Sequence, residues 1–121
     1  MAWNLNSDRP IYTQILEVIK MRIITGVYQP GEKIPSVREL AMQAGVNPNT
    51  MQKALSELER SGLVMAQRTS GRVVTEDMDM IGEVRNNLAK EQVQEFFVRM
   101  QELGYNRQEI MHLLEKEGEH E

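Results

Sequence analysis

Along most of this chain apolar side chains return every three or four residues; only between Leu63 and Thr75 do they bunch into short strand-like runs. The first spacing predicts amphipathic helices and the second a hairpin. From Pro10, the residues Ile11, Ile15, Val18, Ile19 and Ile23 share one helical face, and Gly26 closes the helix before the turn Tyr28-Gln29-Pro30-Gly31. Val37, Leu40 and Ala41 form a second, shorter stripe, and Met51, Ala54, Leu55 and Leu58 a third. Leu63-Val64-Met65-Ala66 and Val73-Val74-Thr75 then read as two strands, separated by Gln67 to Arg72, where Gly71 is free to take a positive φ.

The polar residues between these stripes fix the helix ends. Ser36 stands three residues before Glu39, the spacing of a reciprocal capping box, so a helix starts at Val37 and stops at Gly45. After the turn Ala44-Gly45-Val46, Asn47 is an N-cap and Pro48 occupies the first helical position, where its missing N–H has no partner to lose. Val46 and Met51 bracket that cap as a hydrophobic staple, and Gly62 ends the helix. Two short capped helices, a tight turn and a hairpin predict a winged helix-turn-helix: an α+β fold, mainly α, that reads DNA. The outward face of the second helix is sorted along its length. Asn49, Gln52 and Lys53 offer amides and an ammonium to base edges and phosphates, whereas Glu57 and Glu59 lie in the half expected to leave the groove. Arg68 and Arg72 flank the tip of the hairpin, where a wing meets phosphate or the minor groove. Plain solvation of a surface helix and charged protection of a hairpin edge are the simpler explanations of the same side chains.

Beyond Thr75 the acidic run EDMDM opens a helical tail. Ile81, Val84, Leu88, Val93, Phe96, Phe97, Met100 and Leu103 continue at helical spacing with a phase slip between Leu88 and Val93, which fits one long helix or two abutting ones. Gly104 ends the series. Tyr105 and Ile110 then bracket Asn106, an N-cap with Glu109 at its third position, and a last helix carries Ile110, Met111, Leu113 and Leu114. The chain divides on this reading into a DNA-binding domain, residues 1–75, and a helical tail, residues 76–121. The tail is too small for a core of its own, so Leu88, Val93, Phe96, Phe97, Met100, Leu103, Ile110 and Leu114 are expected to pack on a second chain, the alternative being its own DNA-binding domain.

Composition narrows the classes. With 121 residues, 40% hydrophobic and 26% charged, the chain holds one domain and a small appendage and is not disordered. It has no cysteine, which rules out disulfides and zinc-cysteine sites. No apolar run approaches the ~20 residues that span a bilayer, and the N-terminus lacks a signal-peptide pattern, so no membrane partner and a cytoplasmic location are expected. The net charge of −4 conceals a split: residues 1–75 carry nine basic and six acidic side chains, residues 76–121 five and twelve. A mildly basic reading head on an acidic tail suits DNA, because phosphate attraction is local. Catalysis has no constellation to rest on. His112 and His120 are the only histidines, neither beside a nucleophile or a metal-ligand spacing, and no glycine loop could cradle a phosphate. Glu76, Asp77 and Asp79 read as a solvated linker rather than a cation site, and the nine methionines, Met78, Met80, Met100 and Met111 among them, as gap-filling core. No cofactor and no enzyme activity are expected.

Taken together, PIYTQILEVIKMRIITGVYQPGEKIPSVRELA, VNPNTMQKALSELERSGLV and GRVV resemble the opening helix and strand, the recognition segment and the wing exit of the GntR family of transcriptional regulators, and the short tail resembles its YtrA-type members. The resemblance implies that Arg38 reaches DNA from the start of its helix, that Asn47, Asn49, Thr50 and Gln52 meet bases or phosphates, that Gly71 sits in the minor groove and that Ser36 adds a phosphate contact. It implies a homodimeric repressor on a palindromic operator, with genes of this type often beside the transporter operons they control. Gln52 replaces an arginine of longer relatives, which favours adenine over guanine there. Thr69-Ser70-Gly71 lacks the glycine and basic residue many relatives carry, which weakens minor-groove insertion. Longer relatives carry a large C-terminal domain with a ligand pocket; two short helices enclose no such pocket in one chain, a pocket between chains is the alternative, and no effector is named. A winged-helix module that docks a protein is the alternative function. Tyr12 is either half-buried core or a phosphate contact, and Trp3 either folds back on its own chain or meets a partner.

Overall fold

The computed structural model describes residues 3–68 and 71–119. Thr69, Ser70 and His120, considered above from the sequence, lie outside the described residues. Five helices and one small sheet follow in the order α1 (Ile11–Ile24), α2 (Val37–Ala44), α3 (Pro48–Ser61), β1 (Val64–Ala66), β2 (Arg72–Val74), α4 (Met78–Glu102) and α5 (Arg107–Gly118). They form two compact units, Met1–Glu83 and Val84–Glu121.

In the first unit α1 and α2 both pack on α3. The predicted stripes supply the interior: Ile15, Ile19, Leu40, Met51, Leu55 and Leu58 are fully buried, joined by Leu63, Val64 and Val74 from the hairpin. At roughly 1.5–3 kcal/mol for each large apolar side chain, this cluster is the main stabilising term of the unit. Gln14 and Thr75 are its buried polar residues, Gln14 being 4% exposed on the apolar face of α1. For Gln14 the partners are all backbone. Its amide donates to the carbonyls of Asn6 (2.8 Å) and Arg9 (3.0 Å), and its oxygen accepts from the Asn6 N–H (2.9 Å). The burial is tolerable because the group is fully bonded, and it straps the N-terminal arm to the helix. Trp3, in that arm, folds back on its own chain and lies over the Arg22 guanidinium at 4.6 Å.

β1 and β2 are antiparallel, with Val64 opposite Val74 and Ala66 opposite Arg72. A third backbone segment completes the sheet. Gly31 N–H donates to Val74 (2.9 Å), Val74 N–H to Glu32 (2.9 Å) and Ile34 N–H to Arg72 (3.0 Å), so β2 is bonded on both sides.

α4 runs unbroken past the phase slip between Leu88 and Val93, one long helix rather than two. The acidic run before it has a structural use: the Asp77 carboxylate accepts from Met80 N–H at 3.1 Å and caps the helix, whose Ile81 is buried in the first unit. In the second unit, α4 ends in a turn at Gly104 (φ 98°). There Asn106 and Glu109 exchange the two bonds of a capping box, both 2.9 Å, and start α5. Phe96 and Phe97 meet edge to face at 5.9 Å, and the Arg107 guanidinium lies 5.4 Å from the Phe97 ring.

Candidate nucleic-acid interface

The two helices of the reading head are held at their ends by the predicted chemistry. Ser36 Oγ accepts from Glu39 N–H and a Glu39 carboxylate oxygen accepts from Ser36 N–H, both at 3.1 Å. Since Oγ acts there only as an acceptor, its proton remains available to a phosphate oxygen. Gly45, at φ 73°, lets the chain turn sharply, and both Gly45 and Val46 donate to the Ala41 carbonyl. Asn47 then accepts from Asn49 N–H at 2.7 Å, leaving its amide N–H groups for a ligand. Arg38, at the second position of α2, is exposed and, among the described residues, bonds to no other side chain.

On α3 the outward residues Asn49, Gln52 and Lys53 are exposed and Thr50 is half-buried. Gln52 donates to Ser56 Oγ at 3.2 Å, a weak bond that exchanges readily for a base edge. The Lys53 ammonium stands 4.0 Å from the centroid of the half-buried Tyr12 ring of α1. The carboxylates of the same helix are withdrawn. Glu57 pairs with Arg60 at 3.2 Å, and Glu59 with Arg72 of β2 at 2.9 Å. The first half of the helix therefore offers donors and positive charge with no acid among its exposed groups.

In the wing, Arg68 is exposed and Gly71 has φ 69°, as expected. Gly71 is also crowded, since a Cβ there would stand 3.0 Å from Cε of Lys33. Arg72 departs from the reading at the DNA surface: its side chain is 14% exposed and turned to Glu59. Thirteen residues separate this pair in the chain, too far for a helical spacing rule to reveal it. Sequence reasoning also missed Gln14, although it falls on the same face as Ile11 and Ile15. A polar residue on an apolar stripe is the signal that marks it.

Of the apolar residues assigned to dimerisation, Val93, Leu103 and Leu114 are exposed, Leu103 at 72%, and Leu88, Phe96, Phe97 and Met100 are half-buried. Ile110 is fully buried within the single chain and has no surface left for a partner. No group of three or more His, Cys, Asp or Glu suited to a metal occurs among the described residues, and none of their helices is long and apolar enough to cross a membrane.

A helix pair with this turn, whose second helix shows its DNA-competent groups at one end and keeps its acids in ion pairs, is the reading head of a winged helix-turn-helix regulator. Residues 11–74 match the bacterial regulatory proteins of the gntR family, and the chain belongs to that family, whose members are transcriptional regulators rather than enzymes. It is 40% identical to the HTH-type transcriptional regulator YhcF of Bacillus subtilis over 87% of both chains. It is 39% identical to the HTH-type transcriptional repressor YtrA of the same organism over 76% of this chain and 72% of that one. A solved GntR family transcriptional regulator from Listeria monocytogenes is 38% identical and superposes with a TM-score of 0.84, over 93% of this chain and 98% of that one. The DNA-binding domain of AraR, solved in complex with operator ORE1, is 34% identical with a TM-score of 0.54, over 62% of this chain and 94% of that one.

Proposed function

We propose that this regulator is a repressor that binds a palindromic operator as a homodimer. The observation that carries the reading is the carboxylate-free first half of α3. Asn47, Asn49 and Gln52 present amides, Lys53 presents an ammonium, Thr50 stands beside them, and Arg38 and Ser36 add a guanidinium and a hydroxyl from α2. Such groups pair with base edges and phosphates, and Arg38 is the strongest candidate for a bidentate contact to guanine. Arg68 and Gly71 carry the wing toward the flanking backbone, while Arg72 holds the wing to α3. A face that docked a protein would instead expose apolar anchors, and Asn49, Gln52 and Lys53 are none. That YtrA is a repressor and that an AraR domain was solved on its operator support the same reading.

Dimerisation is supported by the second unit, where Val93, Leu103 and Leu114 stay exposed beside the half-buried Leu88, Phe96, Phe97 and Met100. An apolar surface of this kind is stabilised by a two-fold copy of itself, and a two-fold protein reads a two-fold site. Ile110 contributes to the packing within one chain. The target by resemblance to YtrA-type regulators is a membrane-transporter operon, and the place of action is the cytoplasm.

Selection from a randomised duplex DNA pool at moderate salt tests this. Enrichment of an inverted repeat with half-sites about 10 bp apart, with a dimer by light scattering, is the expected result. A monomer at micromolar concentration, or retained DNA no different from the input pool, overturns it.

A further inference from the structure

Lys53 is held differently from the two arginines that pair with carboxylates of the recognition helix. Arg60 and Arg72 are each held by a carboxylate, Glu57 and Glu59, whereas Lys53 is held by an aromatic ring, its ammonium 4.0 Å from the centroid of Tyr12. The difference is chemical. A carboxylate fixes a cation and cancels its charge; the quadrupole of a ring fixes it and leaves the charge in place. The ring also engages only one side of the ammonium, whose donors on the other side remain open. Lys53 is exposed and lies one helical turn after Asn49, on the face assigned to DNA, and Tyr12 reaches that flank from the first turn of α1.

We propose that Tyr12 is a positioning residue for DNA binding, its ring holding the Lys53 ammonium charged and ready for a backbone phosphate beside the recognition helix. The inference rests on the DNA-binding reading above. A lysine free in solution loses rotamer freedom when it meets a phosphate, and one already resting on a ring has lost part of it before DNA arrives. The contact is sequence-independent, so it serves affinity and orientation rather than base choice.

The test reads the salt dependence of DNA binding in four chains: Lys53→Gln, Tyr12→Phe, Tyr12→Leu and the double variant Tyr12→Leu/Lys53→Gln. The DNA is the operator recovered by selection, or an arbitrary duplex at low salt if none is recovered. Lys53→Gln should lower the slope of log K against log salt by about 0.9, the loss of one phosphate contact. Tyr12→Phe, which keeps the ring, should bind like the parent. Tyr12→Leu should keep the slope and weaken binding about two- to fivefold. In the Lys53→Gln background the same change should add nothing. An unchanged slope in Lys53→Gln overturns the phosphate contact. Equal weakening by Tyr12→Leu in both backgrounds shows that Tyr12 acts through the fold and overturns the positioning role. Failure to select an operator while Lys53→Gln still changes the slope on plain duplex sinks the operator-specific reading and leaves the Tyr12–Lys53 proposal standing.

Discussion

Replacing Arg72 by glutamine separates two roles that a basic wing residue can have. If Arg72 is a strut between β2 and α3, its loss weakens the fold; if it is a DNA contact, its loss weakens binding and leaves the fold alone. The structure sets the scale: Arg72 Nε stands 2.9 Å from a Glu59 oxygen, with the two side chains 14% and 39% exposed. Fully exposed pairs contribute about 0–1 kcal/mol, whereas breaking a buried pair costs about 3–5 kcal/mol. This half-covered pair therefore falls at about 1–2 kcal/mol. For a unit of this size, that corresponds to a fall in Tm of roughly 5–15 °C. Chemical denaturation of Arg72→Gln, Glu59→Gln and the double variant closes a thermodynamic cycle, and a coupling of about 1 kcal/mol is expected. DNA binding of Arg72→Gln should keep the salt slope of the parent. A coupling below about 0.3 kcal/mol, joined to a slope reduced by about 0.9, would refute the strut and return Arg72 to the phosphate backbone.

Three further outcomes test the head and its arm. Leu55→Ala, at a site with no exposed surface, should cost about 2–5 kcal/mol by urea denaturation; a loss under 1 kcal/mol would contradict the packing described for α3. Asn47→Ala should lose about 1 kcal/mol with the cap, whereas Asn47→Asp should keep the stability and weaken DNA binding by placing a negative charge beside phosphate, measured by denaturation and DNA titration in parallel. Gln14→Ala leaves the Asn6 and Arg9 carbonyls without their donor and should cost about 1–3 kcal/mol. Because Trp3 is the only tryptophan, release of the arm should red-shift the emission, and an unmoved spectrum would show that Gln14 does not anchor it.

What was legible in the sequence is what local chemistry decides. Ser36 with Glu39, Asn47 with Pro48, and Asn106 with Glu109 act across two or three residues, and the structure shows each as a cap at the expected helix start. Gly45, Gly62 and Gly104 take the positive φ values that the ends required. What stayed hidden joins residues distant in the chain. Glu59 and Arg72 meet only once the wing folds back on α3, and Tyr12 and Lys53 only once α1 crosses it. The burial of Ile110 belongs to the same class, since helical spacing shows that a residue is apolar on a given face but not which neighbour covers it. The candidate site was thus readable as a set of side chains facing outward. The withdrawal of its acids and the support of its lysine needed coordinates.

The two-sided bonding of β2 has a consequence for how such a regulator changes its target. Val74 and Arg72 are tied to the segment Gly31–Ile34 as well as to β1, so the root of the wing is anchored by backbone bonds that any sequence can make. Beyond Ala66 the hairpin carries the Gln67–Gly71 bond, and nothing in the buried core is drawn from Arg68 or Gly71. Arg68 is thus open to replacement without a refolding penalty in the domain, whereas Gly71, at φ 69° with Lys33 against it, is not. On the proposed DNA-binding reading, a change at Arg68 alters the contact with the operator while the anchored root conserves the fold.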